Sequence, residues 1–190
     1  RYYLIKEVSL GNDGSISMEN LRNCINNDLA NNYGNLCQRV FSFIKKNASN
    51  KIPKPTKLEN VDKKLLEIVK NDISKLTLLM NKQDLNEYIK LVVNYSFQAN
   101  KYFNDLEPWT LKKENPERMN NILFTICEQI KNISILLNSV IPISTGKVLE
   151  IMNLKNKKIS LDMITNLNCF DHDIELGELS ILFKKIENDN

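Results

Sequence analysis

Asn35 and Arg39 lie four residues apart in the run Asp28-Leu-Ala-Asn-Asn-Tyr-Gly-Asn35-Leu-Cys-Gln-Arg39-Val-Phe-Ser. On a helix that spacing puts a carboxamide and a guanidinium on one face, about one turn apart. Both are planar hydrogen-bonding groups that can read nucleobase edges. Trp109, the only tryptophan, follows Pro108 in Asn100-Lys-Tyr-Phe-Asn-Asp-Leu-Glu-Pro108-Trp109 and offers the best stacking surface in the chain. The three together point to a grip on unpaired RNA bases. Taken alone, the pair also reads as a solvated helix face and the indole as a core anchor.

Other reactive constellations are thin. Cys24, Cys37, Cys127 and Cys169 show no paired metal-site spacing, and His172, the single histidine, cannot complete a zinc set, so no metal site is expected. The thiols read as buried and free, which places the protein in a reducing cytoplasm. Asp171-His172-Asp173 is accompanied by no nucleophile, second histidine or glycine-rich phosphate loop, and reads as an exposed loop.

The elements that must position these residues are helices. With 190 residues, 42% hydrophobic and 26% charged, the chain can bury a substantial core. Few alternating β-branched runs and long stretches of Leu, Ile, Lys, Glu and Asn predict an all-α bundle of about five main helices. A net charge of +3 is only mildly basic. It argues weakly for nucleic acid, yet it suits a binder that stacks and reads base edges at one small loop. The longest apolar stretch, Ile133 to Ile143, is broken by Asn138 and too short to span a bilayer, so no membrane role is expected.

Gly11 to Ser17 forms turns, and Ser17 caps a helix through Met18, Leu21, Ile25, Leu29, Leu36, Val40 and Ile44. Gly34 interrupts it at roughly 1 kcal/mol relative to Ala, which fits a backbone that something approaches closely. Thr56-Lys-Leu-Glu59 is a capping-box pattern before a helix that buries Val61, Leu65, Ile68, Leu76 and Leu79. Asp84 opens a third helix with the seam Leu85, Ile89, Val92, Ser96, Ala99 and Phe103. Asn115 before Pro116 starts a fourth through Met119, Ile122, Leu123, Ile126, Ile130, Ile133 and Leu137, ended by Pro142. A short fifth covers Thr145 to Met152, followed by a charge-rich link, Asn153 to Lys158.

Three blocks resemble one family. Arg1-Tyr-Tyr-Leu-Ile-Lys-Glu-Val with Gly11-Asn-Asp-Gly-Ser-Ile-Ser17, the Asp28 to Ser42 segment, and the Asn100 to Trp109 block running on through Thr-Leu-Lys-Lys-Glu-Asn-Pro-Glu-Arg118 are similar to the anticodon-binding region of class I methionyl-tRNA synthetases. Their order and spacing cover most of the chain. The resemblance implies a junction from an absent catalytic half at 1–16, an anticodon-binding bundle at 17–152, and a linker and tail at 153–190 packing back toward that half.

It also implies roles. Trp109, with Pro108, would stack on an anticodon base while Asn35 and Arg39 hydrogen-bond to the CAU triplet of methionine tRNAs; Lys45, Lys46, Lys112 and Lys113 could meet stem phosphates or stay solvated. Glu107 stands where many members carry a small apolar residue. The family's His-Ile-Gly-His and Lys-Met-Ser-Lys-Ser signatures are missing, so this piece should need no cofactor and not use ATP, which belongs to the full-length ligase. The expected partners are the anticodon stem-loop of tRNA(Met) and the chain's own catalytic domain, with no DNA, and the expected state is a monomer. Tyr2, Tyr3, Leu4, Leu182 and Phe183 are expected to face the absent half as an exposed apolar patch. Two alternatives stay open: the equivalent bundle of another class I synthetase, or a helical protein-interaction module in which Trp109 is buried.

Overall fold

The computed structural model describes residues 1–8, 11, 14, 16–154, 159–167, 169–178 and 180–187. Ten α-helices are found among them: α1 Tyr2–Glu7, α2 Met18–Cys24, α3 Asn35–Asn47, α4 Asn60–Asn71, α5 Ile73–Asn81, α6 Leu85–Asp105, α7 Pro108–Glu114, α8 Pro116–Leu137, α9 Pro142–Ile151 and α10 Asp162–Thr165. The five expected main helices are α2 with α3, α4 with α5, α6, α8 and α9. No strand is present among the described residues, where pairing stops at an isolated antiparallel bridge between Lys51 and Glu175. Most of the turn-forming run before Ser17 and the 155–158 part of the charged link lie outside the described residues.

At the centre, α8 packs against α4, α6, α7 and α9. From Asn121 to Leu137 every residue of α8 is buried, so the helix is enclosed on all sides. The expected seam of α8 is there, and so is that of α6, with Ile89, Val92, Ser96 and Ala99 fully buried. Asn115 caps α8 by accepting from the Arg118 N–H at 3.0 Å, and Ser17 caps α2 by accepting from the Asn20 N–H at 3.3 Å.

The first long helix differs from the expected one. Between α2 and α3, Ile25–Gly34 is π-helical, ten residues long, although π segments are usually single turns. Met18 is 68% exposed, so the expected seam does not begin there. The buried row is instead Cys24, Asp28, Asn32, Leu36, Val40 and Ile44. Steps of four drift around a helix of roughly 3.6 residues per turn; the wider π turn, bonded i to i+5, takes up that drift. Buried polar partners hold the segment in place. Asp28 accepts from Tyr2 Oη at 2.8 Å and Lys6 Nζ at 2.7 Å. Asn100 Nδ2 donates to Asn32 Oδ1 at 2.9 Å, and Tyr33 Oη and Ser134 Oγ lie 2.7 Å apart.

Two smaller expectations are corrected. Thr56 does not cap α4. Its N–H donates to Asn121 Oδ1 at 2.9 Å and its hydroxyl to Glu117 at 2.6 Å, while Asp62 accepts from the Glu59 N–H at 2.8 Å, so the cap lies three residues further on. Val61, one turn along, is 40% exposed and not part of the buried face.

The described part of the tail packs on this bundle. Phe170 meets Phe124 edge to face at 6.2 Å, and the Leu176 N–H donates to the Asn50 carbonyl at 2.7 Å. Asn26 pairs its side-chain amide with the backbone of Ile186, donating and accepting at 2.9 Å. Phe183 sits 6.3 Å from Tyr33. Tyr2 and Tyr3 are buried in this chain's own core, Leu182 and Phe183 are half-buried, and only Leu4 of the expected apolar patch is exposed. The reason is local: Tyr2 reaches a buried carboxylate, and Phe183 covers Gly34, where a Cβ would come within 3.1 Å of its ring. Gly34 therefore answers to the chain's own tail and to the Leu29 carbonyl, 2.8 Å from that Cβ position.

Candidate RNA-binding groove

Phe103 is the hub of the site. It is buried near the end of α6, with Arg39 of α3 on one side, its guanidinium carbon 5.4 Å from the ring centroid. Trp109 of α7 meets the same ring edge to face at 5.9 Å and 74°, and Phe43 closes in at 6.4 Å. The neighbouring Asn104 accepts from Arg39 Nη2 at 2.7 Å. This bond fixes the fork with one of its donors and leaves the rest for a ligand. The indole is 42% exposed, so it is a platform resting on the core.

The backbone delivers the indole in a particular way. Glu107, between α6 and α7, is left-handed with φ 40°, which turns the chain sharply. Pro108 then starts α7 at its first position and is itself buried. Thr110 ties the turn by donating its N–H and hydroxyl to the Glu107 carbonyl at 2.9 and 2.8 Å.

Arg39, Ser42, Phe43, Lys46, Phe103 and Trp109 line a groove of about 260 Å³. Arg39, Trp109 and Lys46 are thus brought together. Asn35 is exposed at the first position of α3, one turn before Arg39, and its side-chain amide hydrogen-bonds to nothing among the described residues; it lies outside the groove lining. Lys45 and Lys113 are exposed, and Lys112 lines a separate cleft. None of these four lysines forms an ion pair among the described residues. Phe103 and Asn104 were missed as site residues because Phe103 also satisfies the α6 seam. The overlooked signal was an aromatic–Asn pair ending that helix just before Pro108-Trp109.

Chemistry of other kinds finds little support. Among the described residues no group of three or more His, Cys, Asp and Glu could hold a metal. The four cysteines are buried and form no disulfide with one another. Burial pushes the Cys24 thiol up to about 11 and holds Cys37 and Cys127 higher still. Among the described residues no helix is long and apolar enough to cross a membrane.

Residues 52–190 match the family profile described as the anticodon binding domain of methionyl tRNA ligase. The chain belongs to that family. Residues 1–41 match a second profile, class I tRNA synthetases (M), so Asn35 and Arg39 fall in one matched segment and Trp109 in the other. The methionine–tRNA ligase of Rickettsia felis is 33% identical over all of this chain, which spans 38% of that relative. That of Brucella suis is 37% identical over 80% of the chain and 30% of the relative. The apo crystal structure of the methionyl-tRNA synthetase of Mycobacterium tuberculosis superimposes with a TM-score of 0.92 at 28% identity, over 99% of this chain and 38% of that one. The chain therefore spans between 30% and 38% of these longer proteins, and its helical architecture among the described residues is that of their anticodon-binding domain.

Proposed function

We propose that this chain recognises the CAU anticodon of methionine tRNAs as the tRNA-binding part of a cytoplasmic methionine–tRNA ligase. The observation that carries this reading is the seating of Arg39 and the half-exposed Trp109 on one buried ring, in a member of this family. A flipped-out base would stack on the indole, gaining about 1 to 3 kcal/mol. Arg39 would read an acceptor-rich base edge, held in register by Asn104. Asn35, exposed one turn away, would meet a neighbouring base of the splayed triplet, and Lys46 a phosphate. Lys45, Lys112 and Lys113 are further candidates for positioning the stem without reading it. ATP and methionine are substrates of the catalytic half; anticodon binding would orient the tRNA so that its acceptor end reaches that half. Leu4, Ile16, Met18 and Ile181, each at least 49% exposed, are candidates for docking onto it. The cytoplasmic assignment is supported by four buried cysteines that form no disulfide with one another.

The test is binding of anticodon stem-loops carrying CAU or another triplet. Preference for CAU is expected, with Trp109→Ala weakening the cognate loop roughly 5- to 150-fold. Equal binding of both loops would contradict base reading. The protein-interaction alternative required a buried Trp109, and the exposed indole removes its main support.

A further inference from the structure

A cleft of about 1150 Å³, more than four times the groove's volume, opens beside it. Asn47, at the end of α3, lines both, so the two adjoin. Its floor is apolar, with Ile52, Met119 and Phe170 each less than a tenth exposed. On its rim are Lys51, Lys54 and Lys112, none in an ion pair among the described residues.

His172 forms one wall, and it is not the freely exposed loop residue expected from sequence. It is half-buried, 6.0 Å from Phe124 and 6.5 Å from Phe170. Its Nδ1 lies 3.0 Å from the Ile52 carbonyl. A carbonyl only accepts, so Nδ1 carries the hydrogen and a neutral ring presents Nε2 as an acceptor. Nε2 has no partner among the described residues. Asp171 and Asp173 flank it, the Asp173 N–H donating to Asp171 Oδ1 at 3.0 Å. Cations on a rim, an apolar floor and an aromatic face are what an unpaired base and its phosphates require. Counting the groove, Arg39, Lys46, Lys51, Lys54 and Lys112 stand against two carboxylates.

The geometry points to a second RNA subsite: the cleft takes an unpaired nucleotide flanking the triplet, contacted by His172, with Lys51, Lys54 and Lys112 on its phosphates. This rests on the anticodon-binding reading above. Nε2 and the two carboxylates are acceptors, so the preferred base carries an exocyclic amino group, which adenine, cytosine and guanine have and uracil lacks.

The experiment uses the full ligase containing this chain and CAU stem-loops in which each unpaired position outside the triplet is made abasic in turn. At one position the abasic change weakens wild-type binding about fivefold. His172→Asn keeps an N–H where Nδ1 stands but removes the ring and Nε2. It gives a similar loss on the unmodified loop, and the two losses together do not exceed either alone, while the preference for CAU persists. The subsite is overturned if no flanking position matters, or if the two losses multiply. Lys51→Ala with Lys54→Ala supplies an independent arm should the histidine variant misfold: the slope of log affinity against log salt falls by about 1.4, near 0.7 per lost phosphate contact, and an unchanged slope overturns the proposal. Wild-type enzyme that ignores the triplet sinks the anticodon reading itself; wild-type enzyme that prefers CAU but tolerates every abasic loop sinks only the subsite.

Discussion

Substituting the two helical glycines by alanine should affect stability differently. In an ordinary helix interior Gly→Ala gains roughly 1 kcal/mol, because alanine restricts the unfolded chain and suits the helix. Gly146, in α9, has nothing within 4 Å of the position a Cβ would take, so Gly146→Ala should realise that gain. Gly34 has ordinary helical angles, φ −64° and ψ −43°, so backbone conformation does not demand glycine there. Space does. A Cβ would stand 2.8 Å from the Leu29 carbonyl oxygen, which is backbone within the π segment, and 3.1 Å from the Phe183 ring. Forcing a methyl into a packed site costs typically about 1 to 3 kcal/mol. Set against the helical gain of roughly 1 kcal/mol, the net runs from no gain to a loss of about 2 kcal/mol. For a chain of this size each kcal/mol moves the midpoint by roughly 2 to 4 °C. Thermal unfolding should therefore place Gly146→Ala about 2 to 4 °C above wild type and Gly34→Ala up to about 8 °C below it. Adding Phe183→Ala should relieve only part of the Gly34→Ala penalty, because the Leu29 contact remains. A Gly34→Ala variant as stabilised as Gly146→Ala would refute the close approach and, with it, the π register.

Four other outcomes follow from buried charge and strain. Glu128 and Lys131 form a fully buried ion pair at 2.6 Å on α8. Lys131→Met alone should cost roughly 3 to 5 kcal/mol, whereas Glu128→Leu with Lys131→Met should be neutral or stabilising, measured by denaturant unfolding. Burial pushes Glu128 up to about 7 against the pull of Lys131, so between about pH 4.5 and 7 the unfolded chain releases a proton that the fold retains. Its contribution to stability should fall as pH rises through that window and level off above it, a trend absent in the double variant. For Asp62 the sign is opposite: burial raises its pKa, but the Arg118 fork at 2.6 and 2.9 Å, with Tyr102, outweighs that and holds it below the usual carboxylate range. This stability is present above the unfolded pKa near 4 and lost as pH falls through the folded value, so Arg118→Ala should shift acid unfolding to higher pH in a circular dichroism titration. Glu107→Gly, at a left-handed and exposed position, should stabilise the chain by about 1 kcal/mol in a thermal melt; a lower melting temperature would mean the turn is unstrained.

Local rules were enough for much of the fold. Asn115-Pro116 and Ser17 announced helix starts, and steps of three and four announced the seams of α6 and α8, because capping and amphipathic period act between near neighbours in the chain. The same rules put Asn35 and Arg39 on one helix and Trp109 at the end of another. They could not show that α8 is enclosed on every side, since its buried Glu128, Gln129, Lys131 and Asn132 read as a solvated face until α4, α10 and the Phe170 segment close over them. Nor could they reveal the π segment, whose register depends on Tyr2, Lys6, Asn100, Ser134, Phe183 and Ile186, residues far from it in the chain. Sequence alone determined which side chains were available to hold a base and which helices carried them. Tertiary structure decided that Arg39 and Trp109 share the Phe103 ring, that Asn35 stands one turn outside, and that His172 walls a cleft, because contacts across about 65 to 120 positions are set by packing and not by spacing.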